Sequence, residues 1–305
     1  MIKKIVVGTR ASQLALIQTG FVIGMLKAVA PGLDITMLKI TTSGDRDRHS
    51  SFEQMGVSVF VKELEDALLD GRIDLAVHSL KDVPTEIPIG LALLATPERE
   101  DPRDVLVSKA RLEDLHSGSK IGTGSLRRSV QIANLRPDFE ICGLRGNMDT
   151  RVAKAASNEL DGIITAAAAL SRLDWKGKIT QYLPVETFLP AVGQGAIAVE
   201  GRSNDHAIVQ LVSKINHLAT WQAVAAERAF LLETGGGCRA PIAALGTIHG
   251  TLLHLEGMVA SPLSRKIIRD SLEGPVESAD KLGTTLAKKI LSSGADKFIA
   301  EVTGK

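Results

Sequence analysis

Ile2-Lys3-Lys4-Ile5-Val6-Val7-Gly8-Thr9-Arg10-Ala11-Ser12-Gln13-Leu14 carries an apolar run straight into a helix, and its reading decides the fold. Residues 2–8 read as a buried strand. Leu14, Ile17, Phe21, Met25 and Val29 then recur at helix spacing, with Ser12 as cap and Pro31-Gly32 as stop. The unit repeats downstream. Residues 34–40, 73–78 and 90–95 read as strands, and Phe60, Leu64, Ala67 and Leu68 mark a second helix that ends near Gly71. This βαβ order implies a mainly parallel sheet covered by helices.

The charged stretch 97–104 reads as a crossing into a second lobe of the same kind. There, strands are expected over 104–108, 120–122, 139–144 and 162–166, with helices over 125–135 and 148–156. Residues 189–195 read as a second crossing that leads into a strand at 196–200. The last third differs. A helix over 221–233 precedes strand-like runs at 242–248, 251–260 and 266–272 and a closing helix at 279–291. Short turns between those runs predict a small antiparallel sheet. The expected fold class is α/β and α+β. Lobe 1 is formed by 1–98 and 196–215, lobe 2 by 103–190, and an α+β domain by 218–305. Two lobes joined by two crossings place function at the strand ends that face a shared cleft.

The composition narrows the classes. At 305 residues the chain exceeds one ordinary core, and its net charge of +1 argues against a general nucleic-acid binder. It leaves room for a local basic site that takes a small anion. The only two cysteines, Cys142 and Cys238, form no CxxC pair and no zinc spacing, so neither a metal nor a disulfide framework is expected. A reducing compartment fits. No secretory h-region and no membrane-length apolar run is legible, so the cytoplasm is the expected location and no membrane partner is expected.

Three features carry chemistry. Cys238 follows Gly235-Gly236-Gly237 and precedes Arg239, a setting that exposes a sulfur and favours its thiolate. Taken alone, the run also reads as a glycine turn over a small buried cysteine. Asp82 lies in Val77-His78-Ser79-Leu80-Lys81-Asp82-Val83-Pro84, just after an apolar strand. Its carboxylate suits a general acid or a stabiliser of positive charge, or else a turn residue paired with Lys81. His78 reads as a packing or supporting histidine. The third feature is a set of arginines at strand-to-helix turns. Ser125, Arg127 and Arg128 follow Gly122-Thr123-Gly124, Arg145 follows Leu144, Arg151 lies one turn into the next helix, Arg172 follows a fourth strand, and Arg10 with Ser12 opens the first helix. Forked donors and helix N-termini point to a small polyanion, either phosphate or carboxylate. No GxGxxG, Walker, GxSxG or HExxH motif occurs.

Together these runs, with Thr41-Thr42-Ser43-Gly44-Asp45, Phe60 to Glu65, Arg99 to Asp104 and Leu189 to Gly195, resemble the porphobilinogen deaminase family, also called hydroxymethylbilane synthase, over nearly the whole chain. The resemblance implies two lobes like type II periplasmic binding proteins and a monomeric transferase of tetrapyrrole (heme, chlorophyll, corrinoid) biosynthesis. Such an enzyme joins four porphobilinogen units, with loss of ammonia, on a dipyrromethane cofactor. It implies a thioether from Cys238 to that cofactor and a catalytic role for Asp82 at the cationic pyrrole. Cofactor carboxylates fall to Lys81, Ser125, Arg127, Arg128 and Arg145, and substrate to Arg10, Ser12, Arg151, Arg172 and Gln194. Two positions depart from the family pattern. Val57 stands where a loop lysine is usual, and Gly124 where serine is frequent. The alternative class is a two-lobed binding protein for a polycarboxylate or other small anion, which the crossings and arginines also suit.

Overall fold

A computed structural model describes residues 2–41, 61–157, 159–237 and 240–303. The chain forms two compact units. The first joins Met1–Glu100 with Ala196–Trp221, and the second joins Asp101–Gly195 with Gln222–Lys305. Among the described residues no helix is long and apolar enough to cross a membrane.

In the first unit, β1 (Lys4–Arg10) leads into α1 (Gln13–Val29), followed by β2 (Asp34–Ile40), α2 (Lys62–Leu69), β3 (Leu75–Ser79) and β4 (Leu91–Ala95). The chain returns later as β10 (Ile197–Arg202) and α6 (His206–Val212). The sheet order is β2-β1-β3-β10-β4. β1 runs parallel to β2 and β3, whereas β10 is antiparallel to both of its neighbours. The mainly parallel sheet therefore carries one reversed strand, because β10 re-enters from the other unit. Ser12 caps α1 by accepting from the Ala15 N–H at 3.4 Å. Ile5, Val7, Val22, Leu26, Leu75, Val77 and Val199 share a core on one face of the sheet, and Leu64, Leu68, Ile73 and Ala76 form another with Val6 on the opposite face, so both faces of the central strands are apolar.

The second unit repeats this topology. β5 (Asp104–Ser108), β6 (Lys120–Thr123), α3 (Leu126–Leu135), β7 (Glu140–Gly143), α4 (Met148–Ala156), β8 (Gly162–Ala166), α5 (Ala167–Arg172) and β9 (Gln181–Tyr182) follow in chain order. The sheet order is β7-β6-β8-β5-β9, with β5 as the reversed strand. The chain then re-enters through α7 (Leu218–Thr234) and adds β11 (Ile242–His249), β12 (Leu252–Ala260), β13 (Ile267–Pro275), α8 (Ala279–Ile290) and α9 (Asp296–Thr303). β11, β12 and β13 form an antiparallel sheet over Phe230, Leu286 and Ile290. Its other contacts explain why it clusters with the second lobe. Ala243, Leu245 and Met258 pack against Val130 of α3 and against Leu189.

The differences from the sequence reading are small and physical. β9, α5 and α6 have no place in it, because 2, 6 and 7 residues are too few to show a period, and α9 is also absent from it. β1 runs on to Arg10, so that arginine ends a strand. Cys142 lies on the edge strand β7, half-buried beside Glu140. Burial and the Glu140 charge push its thiol pKa up, which fits a structural thiol.

Candidate active site

In the first unit the site is built on a turn. After β3, Leu80–Asp82 makes a single 3₁₀ turn, and Val83 N–H closes it on the Leu80 carbonyl at 3.0 Å. Leu80 N–H also donates to the Ala196 carbonyl at 3.0 Å. Leu80 and Val83 are both buried, and Pro84 bars a continuing helix. Clamped at both ends, the turn holds Lys81 half-buried and leaves Asp82 exposed. Arg10, at the end of the neighbouring strand β1, and Ser12, at the cap of α1, line one cavity with Asp82, His78, Ser79 and Gln18. Gln18 fixes α1 to β3 by donating from Nε2 to Ser79 Oγ at 2.9 Å. A carboxylate, a guanidinium and a hydroxyl therefore share one strand-end hollow. That combination can hold a substrate carboxylate and face a nearby positive charge.

In the second unit the arginines divide into two groups. Arg127 and Arg128 open α3 but turn inward. Arg127 Nη1 donates to Asp104 Oδ2 and to the Leu189 carbonyl, each at 2.7 Å. Arg128 grips Asp104 Oδ1 through Nε at 2.9 Å and Nη2 at 2.7 Å. Gln194, wholly buried, donates from Nε2 to Asp104 Oδ1 at 2.9 Å and to the Pro102 carbonyl at 2.7 Å. Burial alone would raise the Asp104 carboxyl, but the charges of Arg127 and Arg128 and their hydrogen bonds bring it down to about 2. These three side chains, assigned to cofactor and substrate from sequence, are thus engaged with an acid that the sequence reading left as the start of a strand. The arrangement has a plain cause. An acid buried at the start of an apolar strand must gather cations and donors around itself.

The other group stays at the strand ends. Ser125 caps α3, its Oγ accepting from Arg128 N–H at 3.5 Å. Arg145 is exposed just after β7. Arg151 is half-buried, its Nε donating to the Gly146 carbonyl at 2.8 Å, and Asn147 caps α4. Arg172 ends α5, and its Nη2 donates to the Gly195 carbonyl at 2.7 Å. Ser125, Arg145 and Arg172 follow the parallel strands β6, β7 and β8, so the topology sets them along one sheet edge. That edge offers cations and helix N-termini to a polycarboxylate.

Cys238 and Val57 lie outside the described residues. The glycines before Cys238 are described, and each has a reason. Gly235, at the end of α7, and Gly237 have φ of 67° and 65°, the left-handed region that suits glycine. At Gly236 a Cβ would lie 2.5 Å from Ile242 Cδ1 and 2.7 Å from Ala240 Cβ.

Sequence reading missed four buried acids: Asp104, Glu200, Glu65 and Glu227. Glu227 joins two segments, its Oε2 accepting from Gly193 N–H at 2.7 Å and its Oε1 from Gly246 N–H at 2.9 Å. The available signal was an acid set within an apolar run, as in Ile197-Ala198-Val199-Glu200.

Comparison with known proteins gives consistent matches along the chain. The family model for the porphobilinogen deaminase dipyromethane cofactor binding domain matches residues 5–210, and that for the porphobilinogen deaminase C-terminal domain matches residues 221–292. The porphobilinogen deaminase of Geobacter metallireducens is 47% identical over 302 residues, covering 98% of this chain and 95% of that protein. That of Geotalea uraniireducens is 46% identical over 303 residues, covering 99% and 95%. Among solved structures, the methionine-binding protein MetQ aligns at 13% identity and a TM-score of 0.45, covering 77% of this chain and 97% of that one.

Proposed function

The chain belongs to the porphobilinogen deaminase family and makes hydroxymethylbilane on a dipyrromethane cofactor in tetrapyrrole biosynthesis, and from that premise we propose which of its residues carry the reaction. Asp82 is the catalytic carboxylate and Cys238 the point of covalent attachment. Lys81, Ser125, Arg127, Arg128 and Arg145 serve the cofactor carboxylates, with Arg127 and Arg128 also anchored on Asp104. Arg10, Ser12, Arg151 and Arg172 receive the acetate and propionate arms of porphobilinogen, and Gln194 supports that edge from below. The division of labour follows the sequence boundaries: 1–98 with 196–215 for catalysis, 103–190 for carboxylates, 218–305 for attachment. The protein acts as a monomer in the cytoplasm, where two cysteines in 305 residues fit a reducing milieu.

The donor set suits the cofactor. Its acidic arms need cations at a reachable edge, and exposed Arg145 with half-buried Arg151 and Arg172 supplies them. The three residues that precede Cys238 are glycines and carry no side chains. When bound, the dipyrromethane supplies the primer on which the tetrapyrrole is assembled. This chain's own part is electrostatic and positional. Arg10 and Ser12 fix a carboxylate of the incoming porphobilinogen beside Asp82. As ammonia departs, the substrate pyrrole gains positive charge. A carboxylate held on a rigid turn meets that charge with little reorganisation, worth about 3–4 kcal/mol in comparable electrostatic sites. Asp82 can also take up the ring proton that the joined pyrrole must release.

The observation that carries this reading is the exposed Asp82 on its clamped turn, sharing a cavity with Arg10 and Ser12. Asp82→Ala tests it: the covalent adduct remains by mass while turnover falls by at least about a hundredfold. Near-normal turnover in that variant contradicts the role.

A further inference from the structure

Three buried ionisable side chains beside the Asp82 cavity have no task in the reaction as described. His78 of β3 is buried, and its Nε2 lies 3.0 Å from Oε2 of the fully buried Glu200 on β10. Glu65 of α2 is only 6% exposed, and its carboxyl interacts electrostatically with both Glu200 and His78. Among the described residues, Glu65 Oε1 and Glu200 Oε1 are buried and meet no hydrogen-bond donor. Two ionised carboxylates kept from water, each with an unserved oxygen, form a costly arrangement. One proton on Glu65 relieves it, because the neutral acid removes one of the two buried negative charges. His78 lines the same cavity as Asp82 and Arg10, so the charge of this cluster is felt where substrate enters.

We infer that Glu65, Glu200 and His78 act as one positioning unit with a proton held on Glu65, and that loss of this proton weakens porphobilinogen capture at the cavity of Arg10 and Asp82. The inference rests on the reading of that cavity as the substrate site. Burial first, and then the charge of Glu200, raises the Glu65 carboxyl to about 7, against a lowering by His78. Asp66 on α2 raises it further. Arg202 on β10 reaches the Leu68 carbonyl at the end of α2 and pairs with Asp74. Above neutral pH the cluster gains a negative charge next to His78, which lines the cavity together with Arg10. Porphobilinogen carries two carboxylates against one ammonium, so that charge opposes its binding. A loss of ground-state binding raises KM and leaves kcat in place.

The test uses the holoenzyme, with infrared spectra of the carboxylic-acid C=O band and porphobilinogen KM measured from about pH 6 to about pH 8.5, bracketing neutrality. In the wild type a buried acid band should vanish as pH rises through about 7, and KM should climb on the order of fivefold over the same interval. Glu65→Gln should lack the band and hold a flat KM. A wild type with no such band, or a Glu65→Gln variant that keeps the KM slope, overturns the inference. If Glu65→Gln does not fold, the wild type decides by whether band and KM titrate together. An active Asp82→Ala variant would undo the substrate-site reading and leave the infrared band unchanged, so the two failures are distinguishable.

Discussion

The Asp104 carboxylate accepts from Arg127 Nη1 at 2.7 Å, with side-chain exposures of 0% and 4%. Arg128 and Gln194 complete the cluster, which joins the start of β5, the first turn of α3 and the crossing near Leu189. The acid therefore fixes the base from which Ser125 and the strand-end arginines project.

Replacing Asp104 by Asn should strand two buried guanidinium charges, at a cost of about 3–5 kcal/mol. Urea unfolding at neutral pH measures it. The pH dependence has a definite sign. The Asp104 carboxyl falls from its ordinary 3.8 to about 2, so its stabilisation is complete above the ordinary value and disappears as pH falls toward about 2. Wild-type stability should drop through that window more steeply than that of Asp104→Asn. A variant as stable as wild type at neutral pH contradicts the account.

Arg145 and Arg128 should separate binding from folding. Arg145 is exposed at a strand end, so Arg145→Leu should weaken cofactor retention or raise the porphobilinogen KM with a stability change of about 0.5 kcal/mol or less. Arg128→Leu removes a partner of a fully buried acid and should lower the urea midpoint as well. Equal effects of the two substitutions on stability would count against the division between edge and buried arginines.

Gly124 is closer to a structural requirement here than its family pattern implies. A Cβ at this position would sit 2.6 Å from the Leu144 carbonyl oxygen, a backbone atom one residue before Arg145. Gly124→Ser should therefore cost about 1–3 kcal/mol and disturb the Arg145 turn. Thermal unfolding and KM report the two effects. A neutral Gly124→Ser would show that the Leu144 turn yields freely.

Much of this was legible because strand and helix periods are written locally. Residues 34–40, 104–108, 148–156 and 162–166 read correctly to the residue, each an apolar run or stripe with clear punctuation. The order of β10 and β5 within their sheets was not legible, because it depends on the chain passing between units. The inward turn of Arg127 and Arg128 was hidden for a related reason. Sequence spacing placed them at a helix start, where an anion suggests itself, but their anion is Asp104, in a strand two places away in the sheet. Gly236 shows a further limit, since its need for glycine comes from Ile242 and Ala240 packing above it.

The mass of the native, freshly purified protein, followed by peptide mapping, tests the central claim most directly. The account predicts a mass above that of the bare chain by one dipyrromethane, located on the peptide that contains Cys238 and absent from Cys238→Ser. A native protein at its bare sequence mass, or an adduct mapped to the peptide of Cys142, would contradict it.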